Sequence, residues 1–80
     1  MSEEHLELLS EVFLAVFELS SSVDVRGIAQ GTTEQWDSLG HVTLVTALES
    51  EFGVEITTGD SIEITSFETA AEILDELLNG

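Results

Sequence analysis

Eighty residues limit the chain to one small domain, burying about 60% of the surface that its unfolded form exposes. There is no cysteine to supply disulfides or a thiolate metal site, and no apolar run approaches the roughly 20 residues of a membrane span. Seventeen acids against one base, Arg26, give a formal net charge of −16. That balance argues against nucleic acid and anionic membranes, where binding rests on Lys and Arg, and favours basic patches on other proteins.

Disorder is a natural concern for so acidic a chain, but 42% hydrophobic residues and a positive mean hydropathy oppose it. The start, Met1-Ser2-Glu3-Glu4, is acidic where an export signal is basic, so a cytoplasmic setting is expected. From Glu3 to Leu19 the apolar residues Leu6, Leu9, Phe13, Val16 and Phe17 fall on one arc, with Glu4, Glu7, Glu11 and Glu18 opposite. This pattern predicts an amphipathic helix with Ser2 as N-cap. His5 is expected to face solvent.

Ser20 to Asp37 has no sustained period and reads as a long loop. Val23, Val25 and Ile28 are candidates to pin it to the core, and Trp36 is a bulky anchor beside the next helix. That helix is predicted from Ser38 to Phe52, with Gly53 as its stop. Leu44, Val45, Leu48 and Phe52 make one apolar face, assigned to the core. Leu39, Val42 and Thr46 form a second stripe near the helix start, expected to be a docking surface.

Val54 to Thr57 is too short to read as a strand. A short helix is predicted from Gly59 to Glu63, capped by Thr57 or Thr58. The last helix is predicted from Ser66 to Leu78, with Thr65 and Glu68 as a capping box. Phe67, Ala70, Ala71, Leu74, Leu77 and Leu78 share its inner arc. The expected fold is all-α: a small four-helix bundle with three main helices and one short one, residues 1–80 forming a single domain.

Asp37, Ser38 and His41 lie close in sequence and suggest a hydrolase triad. The chain has no Gly-x-Ser-x-Gly elbow, no separate oxyanion loop and no room for a substrate pocket. No catalytic residue is therefore assigned, and His41 is expected to be half-buried and hydrogen-bonded to the loop before it. The acids follow helix spacings with no EF-hand pattern, so no metal site is expected. Ser38 has two readings on physics alone. It caps the helix itself, or Asp37 caps it and leaves the Ser38 hydroxyl open to modification at a helix end that favours phosphate.

The segment Asp37-Ser38-Leu39, with Val42, Leu44-Val45, Ala47-Leu48-Glu49, Glu51-Phe52 and Ile56 following it, resembles the acyl carrier proteins. Ile64-Thr65-Ser66 and Ala70-Ala71 continue the register from Trp36 to Leu78, while the first helix and loop are similar only in character. The resemblance implies a non-enzymatic carrier of the acyl-carrier bundle type. Ser38 would hold 4′-phosphopantetheine, taken from coenzyme A by a phosphopantetheinyl transferase, and acyl groups would ride on its thiol as thioesters.

Asp37, Leu39, Val42, Thr46, Glu49 and Ile62 would then face the transferase and the acyl-loading and acyl-using enzymes, the carrier being a monomer. The bundle interior beneath the second and third helices would shelter the cargo. Gly40 and Thr43 stand where many fatty-acid carriers have acids, and Ser50 interrupts the later acidic run. This shifts the expectation toward a stand-alone carrier of a specialised fatty-acid, polyketide or related pathway with unusual partners. The alternatives are an aminoacyl carrier and an unmodified acidic interaction module.

The net charge has a direct consequence. Raising ionic strength should screen the self-repulsion and raise the melting temperature, measured by circular dichroism across a salt series. A melting temperature independent of salt would contradict it.

Overall fold

Ser2 accepts the His5 N–H at 3.2 Å and opens α1 (Glu3–Val16) as the sequence predicts. In the computed structural model, which describes residues 2–19 and 25–79, three further helices follow. They are α2 (Ser38–Phe52), α3 (Thr58–Glu63) and α4 (Phe67–Asn79), preceded by two 3-10 turns at Val25–Gly27 and Gln30–Thr32. No strand occurs among the described residues, apart from an isolated antiparallel bridge between Ala29 and Ser66.

α1 ends at Val16, three residues short of the predicted Leu19. The Glu18 N–H bonds the Ala15 carbonyl at 3.4 Å and the Leu19 N–H bonds the Leu14 carbonyl at 2.9 Å. That is a Schellman closure. It puts Glu18 at φ 52°, where glycine is the usual occupant, so the sequence carried no stop signal. The expected glycine stop does appear after α2, where Gly53 adopts φ 65°.

The loop between α1 and α2 is pinned at its middle. Val25 and Ile28 are buried, and Val23 lies outside the described residues. Gln30 donates to the Thr65 carbonyl at 2.8 Å and Phe67 donates to the Ile28 carbonyl at 3.0 Å. These bonds shift the start of α4. With the Thr65 carbonyl committed to Gln30, Ser66 and Thr69 form the reciprocal cap instead of Thr65 and Glu68. Ser66 Oγ accepts the Thr69 N–H at 3.1 Å, and Thr69 Oγ1 accepts the Ser66 N–H at 2.9 Å.

The core centres on Phe13, whose ring meets those of Phe17, Trp36 and Phe67 at centroid distances of 5.8, 5.5 and 5.2 Å. Leu9, Leu44, Leu48, Ile64 and Leu74 are fully buried around it. Val12 and Ile73 are buried too, although neither lies on the predicted inner arcs, while Val45 is only half-buried. His5 is half-buried rather than solvent-facing, its ring 5.8 Å from that of Phe52 at the far end of α2.

A non-glycine residue in the left-handed region costs roughly 1–2 kcal/mol, and an acid at a helix C-terminus opposes the dipole. Glu18→Gly should therefore raise stability by about 1 kcal/mol in urea denaturation. Glu18→Ala, which removes the charge but keeps the Cβ, should recover less than half of that. A loss of stability in E18G would contradict the reading of this closure.

Candidate functional site at the start of the second helix

Asp37 caps α2: its Oδ1 accepts the Gly40 N–H at 2.7 Å, with the backbone extended at φ −92° and ψ −170°. Of the two readings of this junction, the structure adopts the one in which Ser38 is not the cap. Ser38 is the first residue of α2 and is exposed, its hydroxyl outside the cap. It stands where unpaired helix N–H groups and the positive dipole end meet solvent.

The junction is held from below by Trp36. Its indole is 3% exposed, lies 5.2 Å from the Phe17 ring and meets His41 edge to edge, the two planes 17° apart and the centroids 6.2 Å apart. Trp36 Nε1 lies 2.9 Å from His41 Nδ1. An indole nitrogen only donates, so Nδ1 is the acceptor and the imidazole carries its hydrogen on Nε2. That Nε2 lies 2.9 Å from the Ser61 carbonyl oxygen and 3.1 Å from Ser61 Oγ in α3. Both ring nitrogens are thus engaged away from Ser38. A Ser-His nucleophile pair is not formed, in keeping with the half-buried, loop-bonded role expected for His41.

Gly40 has a packing cause that the sequence alone did not disclose. A Cβ there would run into the Gln35 backbone carbonyl and sit 3.3 Å from Phe17 Cε1. The glycine at this position is required by the loop lying against α2, so it is not by itself a sign of unusual partners.

The second stripe of α2 is open to solvent. Leu39 is 76% exposed and Val42 62%, with Thr46 exposed farther along, and Ile62 of α3 is 71% exposed. Ser61, beside Ile62, is bonded to His41, beside Val42, which ties the two helices at this face. Glu49, of the expected docking set, already has a partner inside the chain. It is half-buried, and its Oε2 accepts the Ile56 N–H at 2.9 Å, holding the connection into α3. No local signal announces that bond, because its partner lies seven residues on, beyond the end of α2.

Beneath α2, Leu44, Leu48 and Ile64 are fully buried, so a cargo chain entering there would have to displace them. Among the described residues, two grooves lie along α4. One, of about 380 Å³, is lined by Glu63, Thr65, Thr69, Glu72, Ile73 and Glu76. The other, of about 460 Å³, lies between Leu6, Arg26 and Phe67. Among the described residues no cluster of three or more His, Cys, Asp or Glu is placed to hold a metal ion, and no helix is long and apolar enough to cross a membrane.

No protein-family model matches the chain. It is similar to acyl carrier protein 5, chloroplastic, of Arabidopsis thaliana, with 31% identity over 78 residues. That match covers 98% of this chain but 56% of the relative, so the chain spans about half the relative's length. Its fold is similar to the solution NMR structure of a holo acyl carrier protein from Geobacter metallireducens, with a TM-score of 0.79 and 27% identity. That likeness covers 92% of this chain and 85% of the other.

The packing at Gly40 reverses an ordinary helix rule. Alanine for glycine inside a helix normally adds up to about 1 kcal/mol. Here Gly40→Ala should cost about 1–3 kcal/mol through overpacking against backbone, measured by urea denaturation. A gain in stability would contradict the close approach of Gln35.

Proposed function

We propose that the chain is a member of the acyl carrier protein family that carries acyl intermediates as thioesters on a 4′-phosphopantetheine arm esterified to Ser38. On this reading it is a carrier and not an enzyme, which its likeness to acyl carrier proteins supports. The observation that carries the site assignment is the division of labour at the start of α2. Asp37 takes the capping bond, and Ser38 is left exposed beside it.

The residues present suit the group. The Ser38 hydroxyl is accessible for esterification, and the N-terminal N–H groups of a 15-residue helix favour the phosphodiester that results. When bound, the arm supplies a thiol on a long flexible tether. The chain's own part is to hold the attachment point at an open helix end and to show partners a defined surface beside it. Asp37, Leu39, Val42, Thr46 and Ile62 make up that surface in this reading. Their exposure supports it, whereas the engagement of Glu49 with Ile56 gives that residue a structural task first.

The proposed partners are a phosphopantetheinyl transferase and acyl-loading and acyl-using enzymes that offer basic patches to a chain of net charge −16. Apolar side chains at the centre with sparse acids around them fit partners that read shape as well as charge. Thr43 and Ser50, where acids would strengthen a purely electrostatic interface, support a specialised pathway. A cytoplasmic setting is part of the same proposal.

Incubation with coenzyme A, magnesium and a broad-specificity transferase, followed by intact-mass measurement, tests the assignment. The wild-type chain should gain one phosphopantetheine and Ser38→Ala none. No gain in the wild type with several transferases would overturn it.

A further inference from the structure

We propose that His41 is a positioning residue: its neutral imidazole joins Trp36 to the end of α3 and so sets where α3, with Ile62, stands beside Ser38. The use of that face rests on the carrier reading above; the positioning itself does not.

α3 is poorly placed to hold itself. It has six residues and none of them is buried. The apolar anchors lie in the chain on either side, at Ile56 and Ile64. Two side chains of α2 reach across to this segment. Glu49 accepts the Ile56 N–H ahead of α3, and His41 bonds Ser61 near its end.

The two bonds do different work. The first fixes the entry of the chain and leaves the helix free to pivot about it. The second fixes the far end and with it the direction of the short axis. The Ser61 carbonyl already accepts the Ile64 N–H at 3.2 Å, so the imidazole bond adds an anchor from outside the segment to the closure of α3.

His41 can act this way because its own place is set from the opposite side. The Trp36 indole is buried, lies nearly coplanar with the imidazole and occupies Nδ1, which leaves Nε2–H aimed at Ser61. The orientation is thereby passed from the aromatic core to α3 through one ring. A phenylalanine would keep a ring in this place and lose both bonds. A glutamine carries an amide N–H near the place of Nε2, and an asparagine is too short to reach it.

Amide hydrogen exchange on the unmodified chain tests this without any use of the carrier chemistry. In His41→Phe the amides of Ser61 to Ile64 should exchange about tenfold faster, with α1 and α4 unchanged, the scale of one lost net hydrogen bond. His41→Gln should recover most of the protection and His41→Asn should not. Unchanged exchange in α3, or equal exchange in the Gln and Asn variants, would overturn the proposal. If H41F loosens the whole bundle, the Gln and Asn pair still decides.

In parallel, H41F should raise KM for the carrier in the transferase reaction several-fold with kcat little changed, and H41Q should restore KM. If the wild type is never modified, the carrier reading fails while the exchange result still stands or falls alone.

Discussion

The bond from the Trp36 indole to His41 Nδ1 is the constraint on which the rest of the site depends. Trp36 is wedged among Phe13, Phe17 and the start of α2, and its one polar group would be stranded in that place without the imidazole. Burying an indole N–H without a partner costs about 1–3 kcal/mol, a large share of the stability of a domain this small. Satisfying it brings the loop so close to α2 that only glycine fits at position 40. The same approach brings Asp37 to the helix end as its cap, which leaves Ser38 in the open.

The pressures on this arrangement are electrostatic and conformational. Sixteen net negative charges repel one another on a body with a radius of gyration of 11.4 Å. Against them stands a single core in which aromatic rings meet at edge-to-face angles, together with a bridge that ties the long loop to the start of α4. The bridge turns a loop with no periodic structure into a fixed support for Trp36. Tight packing thus accumulates at one end of the bundle, next to the surface where solvent-exposed leucine, valine and isoleucine sit.

Much of this was legible from local patterns. The inner arc of α1, the cap at Ser2, the glycine after α2, the buried Trp36 and the half-buried His41 all rest on periodicity or on residue chemistry that acts within a turn or two. The open stripe of Leu39 and Val42 followed from the same helical wheel, because a helix with two apolar faces can bury only one of them in so small a bundle.

The features that escaped depend on atoms distant in the chain. Glu49 reads as a surface acid until the chain turns and brings the Ile56 N–H to it. Thr65 reads as a cap until Gln30, from another segment, takes its carbonyl. Gly40 reads as a missing acid until the Gln35 carbonyl is found against it. Glu18 carries no glycine signal because its left-handed turn is imposed by the closing bonds of α1. In each of these four a backbone group lies against atoms that the sequence could not name.

The chain has one tryptophan, so a single indole cross-peak reports on the central bond in a proton–nitrogen correlation spectrum. The indole N–H should be protected from solvent exchange, and its resonance should shift and its protection fall when His41 is replaced by Phe. An indole that exchanges as freely as an exposed one, and is insensitive to His41→Phe, would contradict that bond.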